Sequence, residues 1–171
     1  MRGYFAIGAE RISKPMNLGN LMRSAHAFGA KFFFTIGAHS KAFDAKAFDA
    51  KSDTSKAVFH LPVYHWAKAA DMALPLRCKL VGVELIDQAA DLPSFRHPLH
   101  AAYVLGPELG MLSDEILSRC DHVIKIPSAF CINVAMAGAI VMYDRVRSLG
   151  SFPDRMEAPG WNGRGKLPAG R

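Results

Sequence analysis

The chain has 171 residues, 50% of them hydrophobic and 21% charged, with 21 Lys and Arg against 15 Asp and Glu for a net charge of +6. That length favours one domain, and the composition excludes disorder over most of it. No apolar run approaches the ~18 residues of a membrane-spanning helix, and the opening MRGYFAIGAERIS meets Glu10 too early for a secretion signal, so a cytoplasmic protein with a polyanionic partner is the expectation.

Gly3 to Glu10 (GYFAIGAE) reads as a short buried strand, followed by the polar loop RISKPM. In NLGNLMRSAHAFGA, residues Leu18, Leu21, Met22, Ala25 and Phe28 fall at helical spacing, and Gly29 is a natural stop. Lys31 to Gly37 (KFFFTIG) is aromatic and β-branched, a strand buried on both faces. Strand, helix, strand is the unit of a parallel sheet. Between Ser40 and Lys56 a near-repeat carries lysines at 41, 46, 51 and 56. That spacing turns a helix by about 140° per step, so the lysines spiral around a surface helix or loop rather than forming one face. A strand is predicted near Leu61 to Tyr64, a helix over AKAADMAL, and buried strands over Lys79 to Ile86 and Ala101 to Gly106. SDEILSRC is a capped helix, HVIKIPS the last strand and INVAMAGAIVMYDRVRSL the last helix. The class is therefore α/β with a mostly parallel sheet and flanking helices over residues 1–150. Residues 151–171, with four Gly and three Pro, form a basic tail expected to be flexible. Its Arg155, Arg164, Lys166 and Arg171, interleaved with Phe152 and Trp161, suit either a solvated tail or a grip on RNA.

Three segments follow strands, where open α/β sheets bind ligands. In Pro15 to Arg23, Asn17 can cap a helix and Arg23 can be an exposed helical cation. In Leu105 to Gly110 a Gly-Pro turn exposes backbone polar groups. In Ile126 to Gly138, Asn133 opens a helix rich in small residues. Taken singly, each has an ordinary structural reading. Cys78, Cys120 and Cys131 form no CxxC pair, and the seven histidines show no HxH or HxxxH spacing, so no metal is expected.

Together, PxNxGNxxRxAxxFG, LGPExG and IPxxxxxNVxxAGAIxMYDxxR resemble the three motifs of the SpoU/TrmH-type RNA ribose 2′-O-methyltransferases of the SPOUT class, over about Gly3 to Leu149. The resemblance implies a deep trefoil knot, an exception to the rule against threaded chains, spanning roughly Lys79 to Leu149. It also implies bound S-adenosylmethionine (SAM) and a homodimer with the active site near the interface. Cofactor-binding residues by resemblance are Val83, Glu84, Leu105, Gly106, Pro107, Gly110, Ile126, Pro127, Cys131 and Val134. Arg23 matches the motif-1 arginine. A guanidinium is a poor base, so its physical role is to stabilise a developing alkoxide and orient a phosphate. Asn17 would hold Arg23 or the ribose, Glu108 would fix Arg23 or a partner backbone, and Asn133 completes the third motif. Many relatives carry Ser where this chain has Cys131, a weaker hydrogen-bond donor. No recognition domain is expected ahead of Gly3, and the first motif is closest to small transfer-RNA enzymes acting on an anticodon-loop ribose. Transfer RNA is therefore the expected substrate, with Arg2, Arg11, Lys14 and the tail arginines as phosphate contacts suggested by charge alone. The alternatives are ribosomal RNA, base methylation on the same scaffold, or a silent RNA-binding member. An unrelated nucleotide-binding enzyme would need a GxGxxG or GxxxxGKS loop, which the sequence lacks.

Overall fold

A computed structural model describes residues 3–43, 60–150 and 152. Its strands are β1 (Tyr4–Glu10), β2 (Phe32–Ile36), β3 (Val63–Trp66), β4 (Lys79–Val83), β5 (Ala90–Asp91), β6 (His100–Leu105) and β7 (His122–Lys125). Its α-helices are α1 (Pro15–Ala27), α2 (Asp114–Leu117) and α3 (Val134–Leu149). The strands form one sheet in the order β3-β2-β1-β6-β4-β7-β5. Every pairing among the described residues is parallel. No helix of the described residues is long and apolar enough to cross a membrane.

Alternate side chains of each strand feed two apolar layers, as the two-residue period of a strand requires. Phe5, Ile7, Phe33, Val81, Tyr103 and Leu105 pack with α1 and α3 on one face. Ala6, Phe32, Phe34, Leu80 and Val104 pack with Leu112 and Ile116 on the other. The predicted stripe of α1 is inward: Leu18, Leu21, Met22 and Ala25 are buried. Gly29 ends the helix at φ 79°, a conformation glycine adopts without strain. Helix α1 packs along α3, where Leu21 occupies the space that a side chain at Gly138 would fill.

On β1, Gly8 pairs with Phe34 of β2, and a Cβ at position 8 would overlap the Phe34 carbonyl and ring. Gly8→Ala should therefore push two central strands apart. We expect a loss of about 3 kcal/mol, the upper range for overpacking, read as a lower urea midpoint at unchanged slope.

Several boundaries differ from the sequence expectation. Strand β3 is Val63–Trp66 rather than Leu61 to Tyr64, because the Pro62 carbonyl accepts from Phe33 but proline has no N–H to pair. AKAADMAL forms only a 3₁₀ turn over Ala69–Asp71. Pro75 disfavours helix at Leu74, and the Arg119 guanidinium takes the Ala69 and Met72 carbonyls that a helix would use. The short β5 was not foreseen. Asn17 is not the cap of α1: the helix starts at Pro15, after extended Lys14, leaving the Asn17 side chain for other work. The lysine repeat beyond Phe43 and the tail other than Phe152 lie outside the described residues.

Candidate active site

In a parallel sheet the carboxyl ends of neighbouring strands share one edge, and the loops leaving them can enclose a ligand. Here Ala9 of β1 and Val83 of β4 both stand level with Leu105 of β6, and Val83 is level with Ile124 of β7. The loops leaving β4, β6 and β7 line a cavity of about 370 Å³, with the starts of α1 and α3 as its far wall. That volume falls within the range of small-molecule sites. Val83, Leu105, Ile126, Ile132, Val134 and Ala137 supply the apolar surface.

Glu108 organises the polar side. Its Oε1 accepts from the Lys14 N–H at 2.9 Å and the Asn17 amide at 3.2 Å. Its Oε2 accepts from the Ser13 N–H at 3.1 Å and the Ser13 hydroxyl at 3.0 Å. Burial pushes the Glu108 carboxyl up, but the Lys14, Asn17 and Ser13 donors outweigh it and hold the group below the usual carboxylate range. Asn17, buried, accepts through Oδ1 from the Asn133 amide at 3.0 Å. The Asn133 Oδ1 accepts from the N–H groups of Ala135 and Met136, capping α3. One hydrogen-bonded line thus joins Glu108, Asn17 and Asn133, which are far apart in sequence.

Two further carboxylates hold the loop that follows Glu108. Glu84 accepts from Leu112 N–H at 2.8 Å and Leu85 N–H at 3.0 Å, and Glu10 accepts from Ser113 N–H at 2.8 Å. Arg11, at φ 49°, donates to the Met111 carbonyl at 2.6 Å. Gly106 is the close-approach point: a Cβ there would stand 3.0 Å from Glu84 Oε2 and 3.2 Å from the Leu112 nitrogen.

Of the sequence-derived set, the cavity gathers Asn17, Val83, Glu84, Leu105, Gly106, Pro107, Glu108, Gly110, Ile126, Cys131, Asn133 and Val134. Pro127 lines an adjoining shallower depression with Asp87 and Asp91 instead. Arg23 is exposed on α1 and lines neither space. Glu108 and Asn17 contact each other and the α1 entry rather than Arg23. Sequence reasoning missed Leu85, Leu109, Ser128, Ile132 and Ala137 as lining residues, and it marked Lys14 by its charge as a phosphate contact without placing it at the cavity. Ala137 had a signal, one helical turn beyond Asn133.

A parallel sheet with a cavity over the carboxyl ends of β4, β6 and β7 defines an α/β domain of the class that takes ligands at that edge. The model of the SpoU rRNA Methylase family matches residues 4–143, and the chain belongs to that family. It is 29% identical over 151 residues, 81% of its length, to the 23S rRNA (uridine(2479)-2′-O)-methyltransferase of Streptomyces viridochromogenes, and spans 50% of that relative. The SpoU methyltransferase AviRb of the same organism, solved in complex with AdoMet, superposes with a TM-score of 0.72 at 25% identity, covering 86% of this chain and 61% of that one. A structure concerned with 2-OH methylation of C/U34 on tRNA superposes with a TM-score of 0.72 at 22% identity, covering 87% and 92% of the respective chains, a likeness of fold.

Proposed function

We propose that the chain is a SAM-dependent RNA methyltransferase acting on a ribose 2′-hydroxyl. The observation that carries this reading is the single cavity into which all three motif segments converge, tied by Glu108, Asn17 and Asn133. Its residues fit the cofactor. The apolar wall suits a flat base, and the turns at 106–110 and 126–132 offer backbone polar groups. When bound, SAM supplies an electrophilic methyl group on a sulfonium.

The chain's own residues align and exclude. Glu108 and Asn133 hold Asn17 and both helix starts, so the wall keeps its shape as the ribose arrives. Arg23 stabilises the oxygen that loses its proton and orients the adjacent phosphate, with a phosphate oxygen or water as the acceptor. Because Arg23 is exposed and does not line its own chain's cavity, we propose a homodimer in which it serves the partner's. Seven residues return a helix to nearly the same side, so Met16 and Arg23 share one flank of α1. Met16 is 58% exposed, and on α3, which packs against α1, Met136, Ile140 and Tyr143 are exposed at helical spacing, apolar surface suited to a second copy. A threaded knot over Lys79–Leu149 and a cytoplasmic setting belong to the same proposal.

Transfer RNA is the favoured substrate, supported by the first motif and by the likeness to the structure concerned with C/U34 on tRNA. Ribosomal RNA is the second reading, favoured by the 29% identical relative. Nucleoside mass spectrometry of transfer and ribosomal RNA from a deletion strain tests both, since loss of one ribose methylation names the RNA. In vitro, Arg23→Ala should lower methyl transfer by at least about a hundredfold without weakening SAM binding, and Arg23→Lys should recover part of it. Full activity in Arg23→Ala removes the proposed role.

A further inference from the structure

The cavity's polar side chains are nearly all committed to holding the protein itself. Both oxygens of Glu108 accept from the α1 entry, and those of Glu84 from Leu85 and Leu112. Asn17 and Asn133 satisfy each other, Glu108 and the first turn of α3. The Ser128 hydroxyl turns onto the carbonyls of Ile126 and Phe130. Cys131 offers only a thiol, a weak hydrogen-bond donor. One ionic group is left over: among the described residues, the ammonium of Lys14 meets no carboxylate and no hydrogen-bond acceptor. Lys14 is exposed, and among the described residues no other cation lines the cavity.

Its placement is built rather than incidental. The Lys14 N–H is held by Glu108 at 2.9 Å, its backbone is extended at φ −98° and ψ 118°, and Pro15 follows at once. The anchor of the side chain is therefore fixed while its four-carbon stem remains free to move the charge over the rim. An unpaired ammonium at the edge of the cavity, with the carboxylates within already satisfied, suits an anionic group at that rim.

We propose that Lys14 is an anion-binding residue at the cavity rim, taking a phosphodiester of the RNA strand whose ribose enters. This inference rests on the reading above. A carboxylate, as on the methionyl end of SAM, shares the chemistry. The exposed position of Lys14 favours the phosphodiester, which arrives from solvent, and a compact ammonium suits a phosphate as a point charge.

The test measures affinity of the full chain for single-stranded oligouridylate across a salt series, and for SAM by calorimetry without RNA. It compares wild type, Lys14→Gln and Lys14→Arg. Loss of one phosphate contact should flatten the slope of log affinity against log salt by about 0.7, with Lys14→Arg keeping the wild-type slope. SAM affinity should be the same in all three. An unchanged slope in Lys14→Gln, or wild-type protein that takes no oligouridylate, overturns the proposal. So does a fall in SAM affinity in Lys14→Gln, which would assign the ammonium to the cofactor's carboxylate. If wild type takes no SAM at all, the methyltransferase reading fails, and the salt slope still judges Lys14 independently.

Discussion

Glu108→Ala should abolish methyl transfer and weaken SAM binding, with Glu108→Gln restoring little of either. The carboxylate accepts from Ser13, Lys14 and Asn17, so its loss strands two backbone N–H groups and one amide near the cavity. Hydrogen bonds to a charged group contribute about 1.5–3 kcal/mol each, and part of that stays available from water at this half-buried site, so about 3 kcal/mol of stability should go. The α1 entry would shift against α3, and a displacement of about 1 Å costs roughly a hundredfold in rate. Glutamine keeps one acceptor but turns an NH₂ group toward N–H donors. Because the folded carboxyl is held below its ordinary value, its contribution is complete above the usual carboxylate range and is lost as pH falls through the folded value. Wild type should therefore lose cofactor affinity on acidification in a step that Glu108→Ala lacks. A pH series of calorimetric titrations checks this, and equal acid profiles would refute it.

Arg145→Leu should be the most destabilising single change outside the cavity, by about 3–5 kcal/mol. Arg145 is fully buried within α3 and donates to the carbonyls of Tyr4, Pro98 and Leu99 and to the Tyr103 hydroxyl, at 2.7–3.0 Å. The Tyr103 hydroxyl in turn meets His97 Nδ1 at 2.6 Å, and His97 Nε2 meets Asp144 at 2.9 Å. Burial pulls the His97 pKa down despite the Asp144 carboxylate, so the ring is neutral. Tyr103 then donates to Nδ1, and the Nε2 hydrogen goes to Asp144. Leucine would take a donor from three carbonyls, of which Leu99 keeps the Tyr4 N–H, and from a phenol, and would fill only part of the space. Denaturant unfolding measures the loss, and a shift under about 1 kcal/mol would show that the carbonyls find other donors.

Elements with a clean period were legible from residues alone: α1, β1, β2, β6 and α3 lie where alternation and helical spacing put them. Strand β3 and the turn at Ala69–Asp71 were not, because a proline without an N–H and a distant guanidinium decide them. Most of the cavity lining could be read from motif order, yet the partners of Asn17 and Glu108 could not. Nothing in PMNLG or GPELG tells which donors a carboxylate ninety residues away will meet. Arg145 had a signal that went unused. It continues the buried spacing Val134, Gly138, Val141 along α3, so a cation there had to find partners inside.

The central position of β1 has a consequence for biosynthesis. Its second neighbour, β6, begins at His100, and the Asn17–Asn133 bond spans 116 residues. At about 5–20 residues per second, a ribosome leaves Asn17 waiting roughly 6 to 23 seconds for that bond. Throughout, the Phe32–Phe34 run has one layer of its sheet still unmade, an interval in which holding by a chaperone, or a pause in translation, would decide the yield of native molecules.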